Sequence, residues 1–266
     1  MTIRLITIPI SHYCEKARWG LERAGIPYQE EPHLQLFHYL PAWRYGRGYT
    51  LPLLIHSGGI LTDSSDILLW VDARYGGQPR LYPDRLRHQV LALSRQFDEQ
   101  LGPASRMLMY RHMLPYREVA AHYGGYGIPA WQRWAFRKRP YAAVKRIISS
   151  RVGLTRAATT RARQRVGQVF DTVAARISDG RPYLLGDAFT AADLTFASMC
   201  APLLLPANYG VPLPHDHELS AAYGADINVF RNHPAGALAL RLYREQRYAI
   251  VSTSRRARAA TAAAPP

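Results

Sequence analysis

The chain has 266 residues, 48% of them hydrophobic, which suffices for one large domain or two modest ones and excludes a wholly disordered protein. It contains no run of about 18 apolar residues, so a membrane-spanning helix is not expected. The net charge of +15 is unevenly placed: residues 1–80 carry 8 Lys/Arg against 7 Asp/Glu, and residues 81–266 carry 26 against 12. This asymmetry favours two domains, a near-neutral one followed by a basic one.

The start of the chain and its cysteines bear on where the protein works. The opening stretch MTIRLITIPI is too short for a signal peptide and is interrupted early by Pro9. Two cysteines, Cys14 and Cys200, do not form a disulfide framework, so a reducing cytoplasm is the expected location. Cys200 lies in an apolar helical run and is expected in the core.

The first 76 residues alternate apolar runs of strand length with helical patterns. Pro9 ends the first strand, and Gly25 ends a helix whose apolar residues recur at helical spacing. The segments, in chain order, are strand 3–8, helix 12–24, strand 26–33, an irregular aromatic stretch 34–49, strand 50–56, strand 60–62 and helix 63–76. A βαβ unit followed by a hairpin and a helix predicts a small mixed sheet covered by helices.

In the rest of the chain, the spacing of apolar residues predicts helices, most clearly at 85–101 and 164–178. The turn-forming residues of GGQPRLYPD predict a linker between the two parts. The last residues lack apolar bulk and predict a disordered basic tail. The predicted boundaries are 1–77 for the α/β domain, 78–84 for the linker, 85–250 for an all-helical domain and 251–266 for the tail.

Two groups capable of chemistry stand three residues apart at the start of the first helix. Ser11 and Cys14 lie where a helix presents free N–H groups, which stabilise anions. Ser11 also fits an ordinary N-cap, although a capping box would require Glu at the position of Cys14. The spacing equals that of a redox CxxC motif whose first cysteine is replaced, which predicts poor disulfide exchange. The residues alone leave both groups open as the working one.

Three stretches, in order and at similar spacing, resemble motifs of a known family. They are SHYCEKARWGLERAGIPY at 11–28, TLPLLI at 50–55 and LTDSSDILLWVD at 61–72. They are similar to the Ser-Pro-aromatic helix, the Val-Pro-x-Leu segment with its cis-proline and the acidic-Ser helix of the glutathione S-transferase superfamily. The resemblance implies an α/β thioredoxin-like domain with the order β-α-β-α-β-β-α, followed by an all-α helical domain.

A fourth similarity lies in the second half, in GDAFTAADLTFASMC. Thr190 is a good N-cap and Asp193 stands at the third helical position, as in a capping box with Asp in place of Glu. Phe189 before the cap and Leu194 after it form a hydrophobic staple. The family carries this device in its helical domain for folding, so we expect Thr190 and Asp193 to be structural rather than catalytic.

The resemblance assigns chemistry to the first helix. The family binds the tripeptide glutathione and stabilises its thiolate with a Ser, Cys or Tyr, and a Tyr would stand near Thr7, where this chain has none. The Ser/Cys position falls on Ser11, whose hydroxyl would donate to the glutathione sulfur. With the helix N-terminus it would favour thiolate over thiol. Cys14 is the rival catalytic residue.

The same resemblance implies which residues bind each part of glutathione. Leu51 and Pro52 match the segment that pairs with the cysteinyl part, and a cis peptide bond is expected before Pro52. Asp63 and Ser64 match the pair that opens the third helix, where Ser64 and the helix N-terminus would bind the γ-glutamyl carboxylate. Asp63 would orient the γ-glutamyl amino group, and it also fits a plain helix cap.

The glycyl carboxylate of glutathione requires a donor from the irregular stretch 34–49. His38, Arg44 and Arg47 are the candidates, and the sequence does not rank them. The stretch departs from the family's usual Asn-Pro-x-Gly-Lys, and His12 replaces the common proline of the first motif. Both departures bear on the affinity for glutathione.

Residues 119–170 contain 11 Lys/Arg and no acidic residue, with Trp131 and Trp134 among them. Such a stretch suits an anionic membrane surface, nucleic acid, or a solvated face that forms part of a substrate pocket. The Arg-rich composition of the whole chain favours the last. In the family the helical domain holds the hydrophobic substrate, so Met107, Tyr110 and Trp131 are the expected lining, and a basic rim would favour anionic acceptors.

The sequence thus favours a cytoplasmic glutathione transferase that joins glutathione to a hydrophobic electrophile, with glutathione as co-substrate and without a metal. The resemblance also implies a homodimer. Two alternatives stay open: a non-catalytic protein of this fold that carries ligands or mediates interactions, and a glutathione-dependent thiol reductase that acts through Cys14.

Overall fold

A four-stranded mixed sheet forms the N-terminal part of this computed structural model, which describes residues 2–46, 48–74, 80–138 and 140–249. The strands are Arg4–Thr7 (β1), Gln29–Pro32 (β2), Leu53–His56 (β3) and Gly59–Leu61 (β4). Their order is β2-β1-β3-β4, with β2 parallel to β1 and β3 antiparallel to both β1 and β4. The βαβ unit and the hairpin predicted from the sequence are therefore present.

Helices α1 (His12–Arg23) and α3 (Ser64–Arg74) cover one face of the sheet. The cross-strand neighbours Leu5 and Leu54 pack there against apolar residues of both helices. Because side chains alternate along a strand, Ile6 belongs to a different cluster. The irregular stretch contains a short helix, Tyr39–Pro41 (α2), and a π-helical turn, Ala42–Gly46.

Three of the observed strands, β1, β2 and β3, are shorter than predicted. Pro27 and Pro52 lack a backbone N–H and cannot donate to a ladder, so β2 and β3 begin after them. Gly25 follows α1 with a φ of +64°, a conformation that glycine adopts readily, as its predicted role at the helix end requires. Residues 75 and 76 of the predicted third helix lie outside the described residues.

The remaining described chain is helical. Its α-helices are Arg87–Gln96 (α4), Gly102–Met113 (α5), Arg117–Gly124 (α6), Ala130–Arg137 (α7), Tyr141–Val152 (α8), Arg156–Arg176 (α9), Ala191–Leu204 (α10), Ala221–Asn232 (α11) and Pro234–Gln246 (α12). A π-helical turn, Phe97–Leu101, joins α4 directly to α5. The structure therefore combines a thioredoxin-like α/β part with an all-α part, as predicted.

Helix α10 is the centre of the helical part, because every one of its residues is buried and it packs against α1, α4, α5, α11 and α12. The predicted capping box is present: the Thr190 N–H donates to Asp193 Oδ2 at 2.9 Å, and the Leu184 N–H donates to Oδ1 at 2.8 Å. Cys200 and the two staple residues share the same core cluster. Thr190 and Asp193 are thus structural.

The predicted linker 78–84 contributes to the core. Leu81 and Tyr82 are buried, and their N–H groups donate to Asp72 Oδ1 at 2.8 and 3.3 Å. Residues 78 and 79, like the predicted tail 251–266, lie outside the described residues. Within the described ranges, no helix combines the length and apolar character needed to cross a membrane.

Charged side chains are buried where α1 meets the segment that follows α12. The Arg247 guanidinium donates to Glu15 Oε1 at 2.7 Å and also to the Glu22 carboxylate. The side chains of Glu15 and Arg247 are both fully buried. On the same helix, Arg18 pairs with Glu30 of β2 at 2.7 Å. Each of the buried charges named here therefore has an opposite charge beside it, which offsets the cost of desolvation.

Candidate active site

An open cleft of about 630 Å³ lies beside the start of α1, between the two parts of the molecule. The α/β part contributes Ser11, Pro52 and Ser64 to its wall, and the helical part contributes Arg106 and Tyr110. Residues that are distant in sequence thus converge on one concave surface, the usual form of a small-molecule site.

Ser11 occupies the N-cap position of α1, with an extended backbone at φ −73° and ψ 122°. Its carbonyl accepts from the Glu15 N–H at 2.9 Å, yet its side chain makes no capping hydrogen bond. The residue is partly exposed and lines the cleft. Ser11 therefore places its hydroxyl on the cleft at the positive end of the α1 dipole, where it also hydrogen-bonds the Cys14 side chain.

Cys14 faces away from this cleft. Its side chain is fully buried, packs with Ile6 and Leu53, and accepts from the Ile8 N–H at 3.4 Å. Burial raises the pKa of the Cys14 thiol, although nearby Arg18 and Ser11 act in the opposite direction. The sulfur is thus protonated near neutral pH and inaccessible to solvent, which makes it a poor nucleophile.

The segments expected to bind glutathione reach the cleft. The Leu51–Pro52 peptide bond is cis, as predicted, and both residues are buried in the cleft wall. Asp63 and Ser64 lie at the start of α3. The Asp63 carboxylate accepts from the Ser65 N–H at 2.7 Å and so acts as a cap, while Ser64 is buried against the cleft.

A polar network that the sequence did not indicate connects the two parts at this end of the cleft. Lys16 Nζ donates to Asp98 Oδ2 at 2.7 Å and to Ser65 Oγ at 2.8 Å, and Ser65 Oγ donates to Asp98 Oδ2 at 2.8 Å. The Tyr13 hydroxyl donates to the Asp98 backbone carbonyl at 2.7 Å. Asp98 Oδ1 is buried in the cleft wall and has no hydrogen-bond partner among the described residues.

The candidates for the glycyl end differ in position. His38 lines the cleft, but its Nδ1 accepts from the Leu36 N–H at 3.1 Å and its ring also bonds the Tyr49 backbone. Burial lowers the pKa of His38 to about 4, so the ring is neutral near pH 7. Arg44 is exposed and does not line the cleft, and Arg47 lies outside the described residues. Arg151 of α8, a residue not anticipated, does line it.

A smaller, apolar cavity of about 60 Å³ adjoins the cleft and shares Tyr110 and Met109 with it. Six residues of the acid-free segment line this cavity, namely Ala120, Gly124, Phe136, Tyr141, Val144 and Ile148. The basic segment therefore contributes an apolar wall as well as an exposed face. This arrangement fits the interpretation of the segment as part of a pocket.

Two of the three expected lining residues take other positions. Met107 packs against the main helical core, and Met109 lines the cavity, because residues two apart on a helix point about 200° apart. Trp131 is 57% exposed on α7, where its ring meets Phe37 edge-on. Tyr110 lines both the cleft and the cavity, as expected.

The residues that sequence reasoning missed lie mainly on one face of the continuous helical stretch from 97 to 113. Asp98, Arg106 and Met109 line the cleft and are separated by steps of eight and three residues. These steps approximate whole helical turns, so this face could have been found by placing the helix start correctly. Nothing local in the sequence pairs it with Ser11.

Two family models match the sequence. The model for the N-terminal domain of glutathione S-transferase matches residues 5–79, and the model for its C-terminal domain matches residues 156–223. A comparison with curated protein sequences gives no match.

Solved structures with the same fold cover most of the chain. Glutathione transferase F2 from Populus trichocarpa superposes with a TM-score of 0.57 at 15% identity, over 91% of this chain and 99% of that one. The beta-etherase LigF from Sphingobium sp. strain SYK-6 gives 0.57 at 14% identity, over 91% and 99%. A glutathione S-transferase from Rhodospirillum rubrum F11 gives 0.55 at 18% identity, over 90% and 92%. The family models together match more than half of the chain, and with this shared fold they show that the chain belongs to the glutathione S-transferase superfamily.

Proposed function

We propose that the protein is a glutathione transferase in which Ser11 stabilises the thiolate of bound glutathione. The thiol gives its proton to solvent, and the sulfur lone pair then forms a carbon–sulfur bond with an electrophilic acceptor. The leaving group departs with the electrons of the broken bond. The enzyme's contribution is to keep glutathione in its thiolate form beside the acceptor.

The position of the Ser11 hydroxyl carries this proposal. It is partly exposed on the cleft, it makes no capping bond, and it lies at the N-terminus of α1. A hydroxyl donor and a positive dipole end both stabilise an anion. The buried thiol of Cys14, with its raised pKa, weighs against the alternative of a reductase that acts through Cys14.

Glutathione would lie along the cleft in an order that follows the lining residues. Its γ-glutamyl end would lie at Asp63, Ser64 and Asp98, and its cysteinyl part beside Leu51 and Pro52. For the glycyl carboxylate, Arg151 supplements the candidates His38, Arg44 and Arg47. The acceptor would lie in the cleft with part of its apolar body against the adjoining cavity, whose apolar lining favours a hydrophobic electrophile. A homodimer in the cytoplasm remains part of this proposal.

The test compares Ser11→Ala with Cys14→Ser. Loss of one donor to a developing anion costs about 100-fold in catalysis, so Ser11→Ala should lower kcat/KM by that order and raise the pKa of bound glutathione. The thiolate absorbance of the complex measures that pKa. Cys14→Ser is the matched control, since it changes a neighbouring buried atom, and its kcat/KM should stay within a few-fold.

Other results would replace the proposal with a different function. Activity that survives Ser11→Ala but is lost in Cys14→Ser would point to thiol chemistry at Cys14. Glutathione binding without turnover of any electrophile would leave a non-catalytic ligand carrier.

A further inference from the structure

Arg106 is a cation on the wall of the cleft. It belongs to α5, and its Nε is buried without a hydrogen-bond partner among the described residues. Among the described residues, Arg106 also forms no ion pair. The residues that the structure does not describe include no Asp or Glu that could pair with it. A guanidinium placed in a cleft without a counter-ion favours the binding of an anion from solution.

The neighbours of Arg106 place it near the reacting end of the cleft. It is close enough to His12 to help lower the pKa of that ring, and His12 directly follows Ser11. The His12 ring is buried in the cleft wall, and its Nε2 has no partner among the described residues. Met109 and Tyr110 follow Arg106 by one helical turn and line both the cleft and the apolar cavity. Arg106 thus lies where an acceptor that reaches the cavity would meet the sulfur.

The charges along the helical face distinguish this position from the expected γ-glutamyl end. Asp98 and Glu99, which also line the cleft, precede Arg106 by eight and seven residues. At a rise of about 1.5 Å per residue, about two turns separate the acidic end from the guanidinium. An ammonium group is favoured beside Asp98 and Glu99, and an anion is favoured beside Arg106.

We infer that Arg106 binds an anionic group of the acceptor, so that the preferred substrates are electrophiles carrying a carboxylate or a similar anion next to an apolar body. This inference rests on the proposed function. The guanidinium offers a planar pair of donors that match a carboxylate, whereas the cavity accepts the apolar part.

The test uses two probes that differ at one group, 4-chloro-3,5-dinitrobenzoate and its uncharged methyl ester, and compares each variant by the ratio of the two. Arg106→Met should lower the ratio of kcat/KM for the acid over the ester by about tenfold or more, since a charge-assisted hydrogen bond is lost. Arg106→Lys keeps the charge but lacks the paired donors of the guanidinium, so its ratio should lie between those of the unmodified protein and Arg106→Met. Arg111→Met is the matched control because Arg111 lies exposed on the same helix and does not line the cleft.

A binding experiment separates this inference from the proposed function. The unreactive pair 3,5-dinitrobenzoate and its methyl ester is titrated calorimetrically into glutathione-saturated protein, with thermal unfolding as the check that each variant is folded. An acid preference that Arg106→Met removes would support the anion site even if no probe were turned over. Equal effects on acid and ester would assign Arg106 to glutathione instead and overturn the inference. So would an acid preference that survives Arg106→Met.

Discussion

Lys16 of α1 donates a hydrogen bond of 2.7 Å to Asp98, a residue 82 positions later in the π-helical turn before α5. The Lys16 side chain is fully buried, and that of Asp98 is 16% exposed. This pair links the α/β part to the helical part at the proposed γ-glutamyl end of the cleft. Its geometry therefore affects both stability and binding.

Removal of one partner of this pair should destabilise the fold strongly. Lys16→Met leaves the Asp98 carboxylate without its cation, and the loss of a partner from a buried pair costs about 3–5 kcal/mol. Urea denaturation measures the change in the free energy of unfolding. The double variant Lys16→Met/Asp98→Asn should recover part of this loss, because no unpaired charge remains. Strictly additive losses would show that the pair does not interact.

Cys14 and Cys200 should resist alkylation in the native protein. Both thiols are fully buried, and burial raises the pKa of each. Iodoacetamide requires an accessible thiolate, so labelling should occur only as fast as the protein unfolds. Mass spectrometry after timed quenching measures the rate for each cysteine. Rapid labelling of Cys14 in folded protein would contradict the buried position and would revive Cys14 as the working thiol.

Stability should fall as the pH is lowered below about 6.5, partly through His12. Burial, together with the Arg106 charge, lowers the pKa of His12 to about 3 from its ordinary value of 6.5. Between these values the unfolded chain binds a proton that the folded chain does not, so folding loses about 1.4 kcal/mol per pH unit. Urea titrations across this range should show that His12→Gln has a slope shallower by one proton. If the slope of unfolding free energy against pH were unchanged in His12→Gln, a group other than His12 would be responsible for the pH dependence.

Met109 and Met107 should respond differently to truncation. Met109→Ala enlarges the cavity that adjoins the cleft, so it should raise KM for a hydrophobic acceptor by several-fold at constant KM for glutathione. Met107→Ala removes a residue packed against the helical core, so it should lower the free energy of unfolding and leave acceptor KM unchanged. Steady-state kinetics and urea denaturation separate the two. The reverse pattern would restore the sequence-based expectation for Met107.

The α/β part was predictable because its signals are local. Gly25 and Pro52 mark the end of a helix and the start of a strand by their own backbone chemistry. In the helical part the Thr190–Asp193 box is equally local, because it spans only four residues. The π-helical turn at Ala42–Gly46 has no such signal. Arg106 and its neighbours approach Ser11 only through tertiary packing of segments about 90 residues apart, which neither periodicity nor capping chemistry encodes.

Arg247 limits how far the chain can be shortened from its C-terminal side. It lies two residues before the end of the described part, yet its guanidinium pairs with two glutamates of the helix that begins at the proposed catalytic serine. A truncation or an affinity tag that begins after residue 249 leaves this pairing intact, whereas a cut at 246 deprives the buried Glu15 of its main cation. The position of a C-terminal cut thus decides whether the glutamates of α1 keep their ion pairs with Arg247.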